Sequence, residues 1–143
     1  MPRAAVVGVA GLVALACLGA CSGRASFSRG QSFADVERVV RRADLEICST
    51  SRHPTGLANQ ATASRVYRIA RSCPSDDVVR LVVDRFADAT ARDGAARQFE
   101  VLGRPRADGV VWTWGPFTLF AAVEHDDAVM NRLTDALDAA GAR

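Results

Sequence analysis

The sequence predicts a single small α+β domain, an antiparallel sheet of four to five strands with about three helices packed mainly on one face. Three observations predict it. Segments with apolar residues at helical spacing are interspersed with short runs of β-branched and aromatic residues, in the order helix, strand, strand, helix, strand, strand, strand, helix. A Gly115-Pro116 turn joins two aromatic-rich runs. The chain has 143 residues, of which 49% are hydrophobic and 24% charged, the composition of one ordinary globular domain.

Each element has its own reason. Residues 1–20 read as a leader, 21–31 as a tether, and 32–143 as the globular domain. The tether, Cys21 to Gln31, is rich in Ser and Gly without apolar periodicity, and ten residues of such coil reach roughly 15–20 Å. Ser32 followed by Asp35 marks a helix start, and Phe33, Val36, Val39, Val40 and Ala43 repeat at helical spacing, which predicts a helix over 33–44. Leu45 to Ser49 alternates with period two and predicts a strand, followed by turn residues at His53-Pro54-Thr55-Gly56.

In the run from Ser64 to Ser72, Val66, Tyr67 and Ile69 favour a strand. Pro74-Ser75-Asp76-Asp77 reads as a helix opening, and Val78, Val79, Val82, Val83, Phe86 and Ala89 as its apolar stripe, ending near Asp93-Gly94. Gln98 to Leu102 alternates as a strand does, and a polar loop runs from Gly103 to Gly109. Residues 110–114 and 117–123 form a hairpin that sets Trp114 opposite Phe117 and Trp112 opposite Leu119. Val129, Met130, Leu133, Ala136, Leu137 and Ala140 predict a closing helix.

All 18 basic residues are Arg, and one of them, Arg3, lies in the leader, which leaves 17 against 16 Asp and Glu. The acids alternate with the arginines along every segment, so no basic stripe forms and nucleic acid is not an expected partner. The exclusive use of Arg, with abundant Ala, Val and Asp, fits the codon bias of a GC-rich genome of the actinobacterial kind.

The leader carries the most specific motif. After Met1-Pro2-Arg3 an uncharged run from Ala4 to Ala16 has the length of a secretory h-region, and it closes on Leu18-Gly19-Ala20-Cys21. This resembles the lipobox of bacterial lipoproteins, with an apolar residue three before the cysteine and two small residues between. The resemblance covers about 21 residues. It implies a diacylglyceryl group on the Cys21 sulfur, cleavage between Ala20 and Cys21, and an anchor on the extracytoplasmic face of the cell membrane. Two or more acyl chains at about 0.8 kcal/mol per buried methylene suffice for stable attachment. Two rival readings are an uncleaved membrane-spanning helix, which Gly8, Gly11 and Gly19 make weakly apolar, and Cys17 as acceptor, where Ala14 stands in the large apolar position.

With Cys17 in the leader and Cys21 lipidated, Cys48 and Cys73 remain, and outside the cytoplasm two such residues read as a disulfide closing a loop of about 25 residues. A metal site using His53 and a redox-active thiol pair are the alternatives, with no Cys-x-x-Cys spacing behind them. His53 and His125 fall in polar surroundings and read as solvated. The carboxylate pairs Asp76-Asp77 and Asp126-Asp127 read as first-turn residues facing a helix dipole. No nucleophile elbow is present, and no catalytic, metal or cofactor set stands out.

The hairpin offers the candidate binding surface. Trp112, Trp114, Phe117 and Phe120 put large apolar groups on both of its faces, and only one face need meet helices, so the other suits an apolar ligand or an envelope protein. The expectation is a lipid-anchored, non-enzymatic binding or protein-interaction module. The alternatives are a small envelope hydrolase using His53 or His125 and a thiol or metal-binding protein.

Overall fold

The computed structural model describes residues 30–52, 60–103, 109–123 and 127–143. The elements run α1 (Phe33–Arg42), β1 (Glu46–Arg52), β2 (Ala63–Ala70), β3 (Val79–Arg85), α2 (Ala89–Gly103), β4 (Gly109–Trp114), β5 (Phe117–Val123) and α3 (Asp127–Ala139). All five strands join one antiparallel sheet in the order β1-β2-β3-β5-β4. The fold is the expected α+β domain. Helices α1 and α3 pack together on one sheet face, and α2 lies against β4 and β5 on the other.

Helix α1 begins where Ser32 and Asp35 place it. The Asp35 carboxylate accepts hydrogen bonds from the Ser32 backbone N–H at 2.7 Å and from its hydroxyl at 2.8 Å, which satisfies a donor that the helix start leaves without an intrahelical partner. These bonds, the backbone one foremost, and the adjacent Arg38 hold the Asp35 carboxyl below its ordinary pKa. Val36, Val39 and Val40 then bury one stripe against the sheet.

The middle of the chain departs from expectation. Val78 to Phe86 contains a strand, β3, and the helix starts only at Ala89. The reason is position: β3 is the central strand and is buried on both faces, so its apolar residues form a near-continuous run that also fits a helical stripe. Its three valines, Val79, Val82 and Val83, favour extended backbone. The Asp76-Asp77 pair accordingly lies in the loop before a strand and faces no helix dipole. Instead Asp77 N–H donates to the Ser75 hydroxyl at 3.1 Å.

Residues 98–102, expected as a strand, belong to α2. Asp88 caps that helix, its carboxylate accepting from Ala91 N–H at 2.9 Å, and Gly94 lies inside it. The two displaced elements exchange types, so the helix and strand counts still agree with the sequence reading.

The hairpin forms in the expected register, Trp114 opposite Phe117 and Trp112 opposite Leu119. Gly115 has φ +53, which a first turn position of this hairpin type requires, and Pro116 supplies the fixed negative φ of the second. Beyond α3, Gly141 at φ +85 ends the helix with Ala142 N–H donating to Leu137 O and Gly141 N–H to Asp138 O.

Candidate functional site

Of the residues expected to carry function, the four of the candidate binding surface can be placed. Trp112 is 3% exposed, Trp114 9% and Phe117 0%, all within the main core beneath α1 and α3. Phe117 also meets the Phe33 ring of α1 at 5.0 Å between centroids. Phe120 points to the other face and stacks on Phe99 of α2 at 5.7 Å, in a smaller cluster with Phe86 and Ala95. Neither face of the hairpin is an open apolar floor. Helix α2, which contains the residues 98–102 that alternate as a strand does in sequence, is the element that covers the second face.

Cys48 and Cys73 form a disulfide, with the sulfurs 2.01 Å apart and a sequence separation of 25. It joins the edge strand β1 to the loop between β2 and β3. Cys48 is the extra residue of a bulge in the β1–β2 ladder, where the register shifts between Ile47 and Ser49. The Glu46 carboxylate accepts from Cys73 N–H at 2.9 Å beside it. Strand β1 buries little of its own, because Glu46 and every residue from Ser49 to Arg52 are exposed. The bridge therefore holds an edge strand that packing alone holds weakly.

Ala20, Cys21, His53, His125 and Asp126 lie outside the described residues. Among the described residues no group of three His, Cys, Asp or Glu could hold a metal ion, and no helix is long and apolar enough to cross a membrane.

Two features were not foreseen from sequence. A cleft of about 400 Å³ opens where α1 meets the hairpin turn and the end of α3, lined by Gln31, Asp35, Arg38, Arg42, Val39 and Trp114 among others. Its rim is largely committed to structure. Arg38 pairs with Asp35, Asp35 caps α1, and the Gln31 amide oxygen fills the space that a Cβ on Gly115 would need. Gln31 is thus packed on the hairpin turn.

The second feature is a polar network joining α1 to the sheet. Arg65 donates to Glu37 Oε1 at 3.0 Å, and the Tyr67 hydroxyl donates to the same oxygen at 3.2 Å. Arg65 also lies 4.4 Å above the Phe33 ring centre. Tyr67 is fully buried, and burial, helped by the Glu37 charge against the opposing pull of Arg65, pushes its pKa up to about 12. Both pairs need the register of α1 over β2, which no local sequence pattern carries.

No family model, no curated protein and no solved structure matches the chain.

Proposed function

We propose that the chain is an exported lipoprotein, cleaved before Cys21, anchored by lipid on that cysteine to the extracytoplasmic face of the cell membrane, and presenting a non-enzymatic binding or interaction domain. The observation that carries the reading is Leu18-Gly19-Ala20-Cys21 after an uncharged apolar run. Each residue type has a chemical reason there. Small residues admit the backbone to a peptidase, and a thiol accepts the diacylglyceryl group. The Cys48–Cys73 disulfide supports an oxidising compartment, where such bridges persist. The packed end of the tether supports a domain held close to its anchor, within the roughly 15–20 Å that ten residues of coil reach.

The interaction role rests on a smaller observation. With the aromatic hairpin faces covered, the surfaces among the described residues that suit a partner are the cleft beside Gln31 and the exposed positions Ser49, Arg68 and Arg80 of β1 to β3, so recognition there is polar. The anchor is tested by Cys21→Ala. The expected outcome is an unlipidated, uncleaved precursor by mass spectrometry; a variant that is still trimmed before residue 21 and still fractionates with membranes excludes the proposal.

A further inference from the structure

The sheet sets arginine directly opposite arginine twice, Arg52 against Arg65 and Arg68 against Arg80. Like charges directly opposite on neighbouring strands are destabilising. At the first pair the fold compensates, since Arg65 reaches both the Glu37 carboxylate and the Phe33 ring. The second pair has nothing comparable. Arg68 and Arg80 are exposed, and neither makes a hydrogen bond or ion pair among the described residues.

Strand alternation puts both on the face opposite Tyr67, Ile69 and Leu81, where α2 packs chiefly on β4 and β5 and where Val66, Val82 and Asp84 are buried while the two arginines are exposed. Across the ladder Ser49 of β1 is the register neighbour of Arg68, with an exposed side chain, and Ala122 of β5 is the neighbour of Arg80. Ser49, Arg68 and Arg80 thus form a row of donors on three adjacent strands spaced about 4.8 Å apart. The Asp84 carboxylate on the same face is buried and lies four residues along β3 from Arg80, roughly 13 Å by strand rise.

We propose that Arg68, Arg80 and Ser49 form a surface site for a phosphate group. Guanidinium groups match tetrahedral oxyanions through paired N–H donors, and two of them on neighbouring strands can share one phosphate, with the Ser49 hydroxyl as a further donor. The bound anion turns the repulsion between the arginines into a bridge. An apolar or neutral ligand has no such effect. The site does not depend on the reading of Cys21, and its phosphate can come from solution or from a phospholipid headgroup.

The test is thermal unfolding of the full chain in neutral detergent, in phosphate against chloride at equal ionic strength, and separately in neutral bicelles against bicelles containing phosphatidylglycerol. Arg68→Gln and Arg80→Gln are compared with the wild type and with Arg97→Gln, which alters an exposed arginine on α2. In chloride both site variants should melt at or above the wild-type temperature, because the repulsion is gone. In phosphate the wild type and Arg97→Gln should gain roughly 4–6 °C once the anion exceeds its Kd tenfold, and the site variants should lose that gain. A gain in the phosphate arm assigns a soluble source, and a gain only with phosphatidylglycerol assigns the headgroup. Equal responses of the wild type and both site variants in both arms overturn the site. General salt exclusion acts on all variants alike and cancels in the comparison.

Discussion

The indole N–H of Trp114 donates a 3.0 Å hydrogen bond to the carbonyl oxygen of Ala140, just past the last residue of α3. That carbonyl is among the acceptors a helix end leaves without an intrahelical partner, so the bond both satisfies it and ties the hairpin to the closing helix. Trp114→Phe removes the donor together with part of the buried ring, and it should cost about 1–3 kcal/mol in denaturant unfolding. Trp114→Ala adds a cavity and should cost roughly 3–5 kcal/mol. A Phe variant as stable as the wild type would show that water replaces the bond without loss.

Gly94 sits inside α2, and a Cβ built on it meets nothing within 4 Å. Its φ is not positive, so alanine fits without strain. Gly94→Ala should therefore stabilise the domain by about 0.5–1 kcal/mol, by raising helix propensity and narrowing the unfolded ensemble. Equilibrium urea unfolding checks it, with a raised midpoint at unchanged slope as the expected result. At Gly115 the same change should destabilise, since φ is +53 and the Gln31 amide occupies the space.

Replacing Cys48 and Cys73 together by Ser should lower stability by roughly 3 kcal/mol, the chain-entropy value for a loop of about 25 residues. The loss should be local first. Because β1 is exposed along most of its length, its amides from Glu46 to Arg52 should exchange with solvent deuterium faster than those of β3 and β5. Uniform loss of protection across the sheet would show that the bridge supports the whole core instead.

Tyr67 is the sole tyrosine of the chain, so phenolate absorbance follows this residue alone. Its folded pKa, about 12, stands above the ordinary value of 10.0, so the unfolded chain gives up the proton first. Stability from this group is complete below pH 10 and declines as pH rises from there towards 12. The expected result is little phenolate signal at pH 10.5 in the folded protein and its appearance together with alkaline unfolding. Titration near pH 10 with the fold intact would contradict the burial of the hydroxyl. Tyr67→Phe should remove the effect while losing the bond to Glu37.

The parts of the fold legible in sequence were those whose signal is local. The Ser32 and Asp35 start of α1, the Gly115-Pro116 hairpin with its register, and the apolar repeat of α3 each depend on neighbours a few residues away. The segments at 78–86 and 89–103 were misread for a shared reason. A strand buried on both faces loses its period-two pattern, and α2, rich in Ala and covering only part of one face, shows a weak helical one. The same ambiguity makes the outer face of the hairpin look open in sequence. Without a helix over 89–103, Phe120 had no partner.

By itself the sequence determined what acts through composition and short motifs, an α+β domain, the helix start at Ser32 and the Gly115-Pro116 hairpin, while Leu18 to Cys21 offers a resemblance to a lipobox. The tertiary structure alone decided which side chains meet. It buried Trp112, Trp114 and Phe117 under two helices, gathered Glu37, Arg65 and Tyr67 around one oxygen, and set Arg68 against Arg80. Periodicity names the face on which a residue lies, but strand order and helix placement determine what lies across from it. Those depend on long-range packing, which no window of the sequence contains.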